Sequence, residues 1–435
     1  MFPIDGAADF GYDTLYTGIM TERKENHMNT TPTIKQRAFR YFLAVAVLTA
    51  FGLGLSDSVF GNYFKEVYDV TAAQRGFIEF PRELPGLLVI VIVSLFSFLG
   101  EIRLALVAQL FSIAGLVVLG LLTPPFAVML VFLFINSMGM HIFMPLQDSI
   151  GLGIIGEENT GSRLGLVNGV RTAAGLGAGL IVFFGFRHGA FSFAHDTKYI
   201  FLVGAVFTVG VVFMLIKLRK LIGDPPINTG VGRFLFRKEY KWYYILASLH
   251  GAHKQIAYVF GPWVLIEILL KQADTLAILG MIGSFIGIFF MPMVGKFTDR
   301  LGVRRMMYIE GFAFVAMYIV FGIVSSGLMT GALAHVGIPV LIVYGLFIVD
   351  RMTMSLGMVR VLYLRSIAWD QSEVSPTLST GISLDHAISI ICAYLGGLAW
   401  AAWGPEFVFY IAAALSLGNV VVAGFLPRRG EMQVG

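Results

Sequence analysis

The sequence has 435 residues, of which 57% are hydrophobic and only 13% are charged, and its mean hydropathy is +0.79. This composition leaves too little polar surface to cover a water-soluble globule of that length, so we expect most of the chain to contact lipid. The formal net charge is only +4, and the single cysteine, Cys392, excludes an internal disulfide framework and any metal cluster built from cysteines.

The first 39 residues are polar and contain no long apolar stretch, so they do not resemble a signal peptide. Met28 is followed by a polar lead, 29–40, of the length that is usual before a first membrane helix. This makes 1–27 a candidate upstream extension, in which we expect no secondary structure. A regulatory or docking arm is the alternative.

Twelve apolar segments follow, each long enough, at about 20 residues, to cross the hydrocarbon core of a bilayer. They lie at Tyr41 to Phe64, Phe77 to Phe98, Leu104 to Leu122, Phe126 to Leu152, Leu164 to Phe186, Tyr199 to Ile216, Trp242 to Leu269, Leu276 to Met293, Met306 to Ile323, Ile338 to Leu364, Leu378 to Trp403 and Phe407 to Leu426. The predicted fold class is therefore an all-α membrane protein with twelve transmembrane helices.

One link between these segments, 217–241, is longer than the others, basic, and interrupted by Pro225 and Pro226. It divides the chain into two sets of six helices. The predicted regions are a polar extension over 1–39, an N-terminal six-helix bundle over 40–216, a cytoplasmic central loop over 217–241, a C-terminal six-helix bundle over 242–427 and a cytoplasmic tail over 428–435.

The distribution of basic residues predicts the orientation in the membrane. With a cytoplasmic N-terminus, 21 of the 31 lysine and arginine residues lie in cytoplasmic segments and five in outer loops, and the inverted topology would reverse that ratio. Both termini are therefore predicted to be cytoplasmic. We expect a multi-pass protein of the cell inner (plasma) membrane that functions as a monomer.

Ionisable side chains inside the predicted spans are the strongest functional signal, because each costs roughly 2.5 to 3.5 kcal/mol at bilayer depth and must face protein or water. They are concentrated on spans 1, 2, 4, 5, 7, 10 and 11. Residues nearer either membrane surface are candidate gating residues, namely Glu79, Arg82, Glu83, Asp148 and Arg360. Residues near the midplane are candidate substrate ligands, namely His141, Arg171, His250, His253, Lys254, Asp350 and Arg351. Asp57, Asp385 and His386 are candidates for proton coupling.

The spacing of these residues gives more specific expectations. His250, His253 and Lys254 stand at i, i+3 and i+4, so we expect them to share one helix face. Arg171 and the pair Asp385 and His386 lie at similar depths on spans 5 and 11, and we expect them to approach each other. A buried ion pair that only holds the two halves together is the alternative. Histidine, with a pKa of about 6.5, suits proton transfer, although a lone membrane histidine can equally be a packing residue.

The run 295–305 reads Gly-Lys-Phe-Thr-Asp-Arg-Leu-Gly-Val-Arg-Arg and joins spans 8 and 9. Its spacing resembles the loop signature of the major facilitator superfamily, with matching positions at Gly295, Asp299, Arg300, Gly302, Arg304 and Arg305. A basic turn between membrane helices is the simpler explanation, but the full spacing favours the signature. The corresponding run after span 2, 100–104, is a reduced copy.

The resemblance implies two six-helix bundles related by a pseudo-twofold axis, and a central cavity lined mainly by helices 1, 4, 7 and 10. Helices 3, 6, 9 and 12 would lie outside, and the 295–305 run would close the cytoplasmic gate. We therefore expect a secondary transporter that moves a small polar, anionic organic solute by alternating access, coupled to protons or exchanging one anion for another. Arg171, Lys254 and Arg351 would hold the anion.

Three other functions stay open at this stage. His250-x-x-His253, with Met138, Met140, His141 and Met144, could serve a transporter of copper or another transition metal. A drug/proton antiporter is disfavoured because span 5 lacks the proline of its Gly-Pro-rich motif, and a non-transporting receptor would have little need for midplane charges. We expect no enzyme activity, resident metal, cofactor or nucleic-acid partner; the expected partners are the solute, protons and the lipid bilayer.

Overall fold

The computed structural model describes residues 32–155, 160–227, 236–353, 356–370 and 373–426, so the extension over 1–31, the tail from 427 onward and part of the central loop, 228–235, lie outside the described residues. The described part contains twelve helices and no strand. They are α1 (Pro32–Ser56, continued through a 3₁₀ turn at Asp57–Val59 into Phe60–Tyr68), α2 (Ala72–Leu95), α3 (Glu101–Leu121), α4 (Phe126–Ile155), α5 (Thr160–Arg187), α6 (Tyr199–Ile222), α7 (Lys241–Gln255, continued through Ile256–Phe260, Gly261–Trp263 and Val264–Ile268), α8 (Ala273–Leu301), α9 (Val303–Met329), α10 (Ile338–Thr353 and Gly357–Ile367), α11 (Val374–Trp403) and α12 (Pro405–Phe425).

Each of these helices overlaps one predicted span, which confirms the all-α fold class. Within the described ranges, ten helices are long and apolar enough to cross a membrane. The two that fall short, α2 and α7, are polar near their middles, because α2 carries Arg75, Glu79, Arg82 and Glu83 and α7 carries His250, His253 and Lys254.

The first six helices and the last six pack in the same way. In the first set α1 packs on α5 and α6, α2 on α4, and α3 on α4 and α6; in the second set α7 packs on α11 and α12, α8 on α10, and α9 on α10 and α12. We call the two sets the N-terminal and the C-terminal bundle. They meet along two equivalent seams, α2 against α11 and α5 against α8, as a pseudo-twofold axis requires. The residue boundaries predicted for the two bundles remain predictions.

The repeat extends to backbone detail at the links after α2 and α8. Gly100 precedes α3 with φ 83° and ψ 162°, and Gly302 precedes α9 with φ 80° and ψ 157°. Both conformations are essentially restricted to glycine. The predicted loop over 295–305 is therefore wrong in extent, because α8 stays helical to Leu301 and only Gly302 links it to α9.

The ends of the helices define two faces of the molecule. We call the end at which α1 begins and the α6–α7 link lies the linker face, and the opposite end the far face. At the linker face Asp224 accepts a hydrogen bond from the Ile102 backbone N–H at 2.9 Å and pairs with Arg103 and Arg219. The α6–α7 link is thereby fixed to the start of α3.

Buried apolar side chains among the described residues form three clusters, and their positions differ between the two faces. The largest cluster lies in the far-face half and runs through both bundles, from Phe60 and Tyr63 on α1 to Phe260 and Trp263 on α7. In the linker-face half each bundle has a separate cluster of its own. The bundles are thus packed together at the far face and separate at the linker face.

Candidate functional site

A cavity of about 1250 Å³ lies between the two bundles. Residues of α1, α5, α7, α8 and α10 line it, together with Arg82 of α2. The expectation that α4 lines the cavity is wrong for the described residues. Helices α5 and α8 line it instead. The reason is that the α5–α8 seam carries glycines, including Gly165, Gly169, Gly280 and Gly287, which leave open space beside these helices.

The cavity opens toward the linker face. A methyl group added to Gly165, Gly169 or Gly287 would meet no described atom within 4 Å. At the far face the walls touch, because a methyl group added to Gly61 of α1 would come within 2.8 Å of Ile266 on α7. The cavity is therefore closed at the far face and open at the linker face.

Two contacts between α1 and the end of α7 seal the far face. The Asn62 side-chain amide donates to the backbone oxygen of Lys271 at 3.0 Å, and the Lys65 ammonium lies 2.7 Å from the carboxylate of Glu267. A third contact, between Arg187 and Asp274 at 3.7 Å, joins α5 to the first turn of α8. None of these residues was a candidate from the sequence, although all of them are polar groups at the predicted outer ends of spans.

The charged residues that line the cavity are Asp57, Arg82 and Arg351. Arg82 donates to Asp57 at 2.6 Å and to Glu79 at 2.8 Å, and Glu79 also accepts from Arg75 at 2.6 Å. These four residues contain two positive and two negative groups in one chain of ion pairs. Asp57 and Arg82 therefore neutralise each other within the N-terminal bundle, where the sequence had suggested separate roles in coupling and gating.

Arg351 has a different environment. Its guanidinium carbon lies 4.6 Å from the ring centre of Tyr258 and 5.2 Å from that of Phe347. The Nε atom is buried and has no hydrogen-bond partner among the described residues. Asp350, the preceding residue, is 1% exposed and accepts a hydrogen bond from the Tyr318 hydroxyl at 3.4 Å. The two neighbours point in different directions, and of these two candidate ligands only Arg351 is in the cavity lining.

A second group of charges crosses the seam between α2 and α11. Lys254 of α7 lies 2.9 Å from Glu83 of α2 and 3.0 Å from Asp385 of α11. Asp385 is also bonded to His250 at 2.8 Å, and Glu83 to His386 at 2.6 Å. We call these five residues the seam network. It joins three helices near their midpoints and connects the two bundles directly.

His141 of α4 adds a sixth titratable group beside the seam network. Its ring centre lies 5.3 Å from that of His386, and its Nδ1 atom is 2.9 Å from the backbone oxygen of Ser137. The close approach of α11 to α2 depends on Gly86, because a methyl group there would come within 2.4 Å of the His386 ring. The midplane residues His141, His250, Lys254, Asp385 and His386 therefore do come together, as a cluster outside the described lining of the large cavity.

The expectation that His253 shares a face with His250 and Lys254 is wrong. At 3.6 residues per turn, positions three apart differ by about 60° in direction, and that difference is enough to place His253 elsewhere. His253 is fully buried, lies 3.0 Å from the Ser416 hydroxyl on α12 and stacks on Phe314 of α9 with ring centres 4.4 Å apart. His250 and His253 therefore do not form a shared metal-ligand pair.

The expected approach of Arg171 to Asp385 is also wrong in this conformation. Arg171 pairs with Asp148 of α4 at 3.1 Å. The reason is that α5 lies at the seam with α8, whereas α11 lies at the other seam, with α2. Arg360 likewise pairs within its own bundle, with the buried Glu310 of α9 at 2.9 Å.

The residues of the signature run lie at the end of α8 and the start of α9. Gly295 and Gly302 are buried, whereas Asp299 and Arg300 are exposed on the last turn of α8 and Arg304 is half-buried. This places the run at the linker face, the face to which the cavity opens. The gating role of its charged residues remains a prediction.

The arrangement of two six-helix bundles around a central cavity occurs in several solved transporters. The nucleoside transporter NupG superposes with a TM-score of 0.69 at 12% identity, over 89% of this chain and 98% of that one. A bacterial homologue of the iron transporter ferroportin, in its inward-facing state, gives 0.65 at 16% identity, over 90% and 98%. A D-xylose–proton symporter gives 0.64 at 13% identity, also over 90% and 98%.

The chain has the major facilitator superfamily fold. No protein-family model matches the sequence, and no curated protein matches it either. At identities of 12 to 16%, the structural similarity establishes the fold and leaves the solute open. With its ten apolar helices, this major facilitator fold makes the chain a multi-pass integral membrane protein.

Proposed function

We propose that the protein is a secondary transporter that moves a small organic anion between the two faces by alternating access. The observation that carries the proposal is Arg351, a cation at the wall of a 1250 Å³ cavity between the bundles, whose buried Nε atom has no described partner. In a cavity of low dielectric constant, a carboxylate or phosphate that pairs with a guanidinium is bound more strongly than in water. Arg171 and Lys254 have carboxylate partners already, which supports Arg351 as the principal anion ligand.

We further propose that the seam network couples transport to protons. Glu83 belongs to the N-terminal bundle, and its partners Lys254 and His386 belong to the C-terminal bundle. Protonation of either carboxylate removes a charge that holds the bundles together along this seam, and so shifts the balance between the two end states. Asp385 is the first residue to test, because it is bonded to both Lys254 and His250.

The transport proposal is tested with purified protein in liposomes, using labelled lactate, benzoate, succinate and a sugar phosphate in counterflow. Wild-type protein should exchange at least one of them, and Arg351→Gln should lower that rate by about tenfold or more, because a charge-assisted contact is lost. Arg365→Gln, on the same helix but exposed, is the matched control and should exchange normally. Equal exchange by Arg351→Gln and wild type would refute the proposed anion site.

The coupling proposal is tested in the same liposomes with an imposed pH gradient. Asp385→Asn should lose gradient-driven accumulation and keep counterflow, because the binding cavity is unchanged while the titratable group is removed. Glu406→Gln, a carboxylate in the first turn of α12, is the control and should accumulate solute as wild type does. Accumulation by Asp385→Asn at the wild-type level would show that Asp385 is not the coupling residue.

A further inference from the structure

The walls of the cavity are mostly apolar, which bears on the kind of anion it takes. Eight of the lining residues are polar or charged, and the remaining ones are glycine, alanine, proline, methionine, leucine, isoleucine or phenylalanine. The eight are Asp57, Ser58, Arg82, Asn168, Thr172, Tyr258, Ser284 and Arg351. A sugar or another polyhydroxylated solute needs a hydrogen-bonding partner for nearly every hydroxyl, because each unpaired buried group costs about 1–3 kcal/mol.

The charged residues of the lining, Asp57, Arg82 and Arg351, sum to one net positive charge. Asp57 and Arg82 are bonded to each other at 2.6 Å, and Glu79 and Arg75 complete a chain of ion pairs with no net charge. Arg351 has no carboxylate within ion-pair distance among the described residues, and Asp350 is buried against Tyr318, outside the lining. One positive charge matches a single negative charge on the solute.

Two aromatic rings pack against the Arg351 guanidinium. Tyr258 and Phe347 lie 4.6 and 5.2 Å from its carbon atom, and both residues line the cavity, although Tyr258 is 43% exposed and Phe347 only 2%. A guanidinium donates its hydrogen bonds in its own plane, so rings packed on its face do not block the donors of its terminal nitrogens, which, unlike the Nε atom, are not among the buried unpaired atoms. The exposed Tyr258 ring offers an apolar surface to whatever is attached to that carboxylate.

The space next to this site is bounded by a glycine-lined wall on α5 and α8. Methyl groups added to Gly169, Gly175, Gly280 or Gly287 would meet no described atom within 4 Å. The cavity volume of about 1250 Å³ exceeds the range of about 300–1000 Å³ that is common for pockets holding small molecules. The cavity therefore has room for a bulky apolar body beside the charged group.

We propose that the solute is an amphipathic organic monoanion: one carboxylate bound at the donor edge of Arg351, and an aromatic or alkyl body along the glycine-lined wall of α5 and α8. This inference rests on the proposed anion transport and makes it specific. It separates this cavity from one suited to sugars, to dianions or to small inorganic anions.

The proposal is tested by the binding of five probes to the full chain in detergent, measured by calorimetry. 3-Phenylpropionate should bind about tenfold or more tightly than propionate, because its ring buries apolar surface in the cavity. It should also bind about 10- to 100-fold more tightly than its neutral amide, because the amide lacks the charge. Gluconate and phthalate should bind no better than propionate. Gluconate binding as tightly as 3-phenylpropionate would overturn the proposal.

Two variants locate the binding site. Arg351→Gln should remove the preference for 3-phenylpropionate over its amide. Gly169→Leu fills open space in the wall and should weaken 3-phenylpropionate about tenfold while leaving propionate unchanged. Gly345→Leu is the matched control, because Gly345 is exposed on α10, outside the described lining, and faces no described atom within 4 Å. Equal weakening by the two leucine variants would refute the assignment of the wall.

The outcomes distinguish this inference from the proposed function. If gluconate or a sugar phosphate is exchanged in liposomes and that exchange requires Arg351, anion transport stands and the amphipathic solute is rejected. If no anion depends on Arg351 in either assay, both are rejected. Selective, Arg351-dependent binding of 3-phenylpropionate supports both.

Discussion

Lys254 shows how a single residue can hold two helix bundles together. Its ammonium group lies within 3.0 Å of two carboxylates, Glu83 and Asp385, and all three side chains are at most 17% exposed. Ion pairs this deeply buried are stable only as complete sets, because a buried charge without its partner costs several kcal/mol. The sequence suggested Lys254 as an anion ligand, whereas the structure gives it two carboxylates of the protein itself.

Replacement of Lys254 by methionine should therefore destabilise the fold as well as impair transport. We expect Lys254→Met to lower the free energy of unfolding by about 3–5 kcal/mol, because it leaves two buried carboxylates without their cation. Denaturant unfolding in detergent measures the change. The triple variant Glu83→Gln, Lys254→Met, Asp385→Asn is the control and should recover most of the loss. A single variant as stable as wild type would show that water, rather than Lys254, compensates these carboxylates.

Part of the polarity near the middles of α2 and α7 belongs to the seam network. Glu83 lies on α2 and His250 and Lys254 lie on α7, and α11 packs against both helices. The approach of α7 to α11 requires Gly251, since a methyl group there would lie 2.3 Å from the backbone oxygen of Asp385. The lower hydropathy of these two helices is thus explained in part by the ion pairs that join the two bundles.

The glycine links form a second element-level feature, and they make a direct test of the internal repeat. Gly100→Ala and Gly302→Ala should each destabilise the protein by about 1–3 kcal/mol, because both positions have φ near +80° and ψ near 160°. Gly100→Ala should cost more, since its methyl group would approach Asp224 to 2.7 Å. Gly345→Ala, in a helix and facing open space, should be neutral or slightly stabilising. Thermal unfolding in detergent compares the three, and a neutral Gly302→Ala would argue against the strained link.

At the scale of the whole molecule, the distribution of the apolar core fixes the conformation. One core cluster crosses both bundles in the far-face half, whereas each bundle has a cluster of its own in the linker-face half. Polar contacts between α1 and the end of α7, such as Lys65 with Glu267, reinforce the far-face closure. In the proposed transport cycle, this closure opens when the linker face closes.

Loss of the Lys65–Glu267 contact should shift the protein toward the state that is open at the far face. Glu267→Gln should increase the population of long distances between spin labels attached to cysteines at positions 69 and 270. Pulsed electron paramagnetic resonance measures these distances in a Cys392→Ser background, which removes the single native cysteine. Asp69→Asn, read with labels at positions 68 and 270, is the control: Asp69 binds the same lysine at 2.7 Å but stands on the α1 side, so the closed population should persist. Unchanged distances in Glu267→Gln would mean that the apolar core alone holds the far face shut.

Much of the architecture follows from the sequence alone. Apolar segments of membrane-spanning length, the long basic link after the sixth of them and the signature over 295–305 predicted twelve helices in two sets. The midplane charges predicted which helices carry polar contacts. These signals are local, because hydropathy and residue spacing act over one helix or one turn. The domain boundaries, the orientation in the membrane and the coupling ion remain predictions of the same kind.

The tertiary structure decided which of these charges meet. Arg171 and Asp385 lie at similar depths along their helices. However, α5, which carries Arg171, packs on α8, and α11, which carries Asp385, packs on α2, so the two residues lie at different seams. His253 and Lys254 are adjacent in sequence, yet one faces the core of its bundle and the other faces the seam. Depth along a helix can be read from sequence, whereas the direction a side chain faces depends on how whole helices pack, and that is set by contacts between residues far apart in the chain.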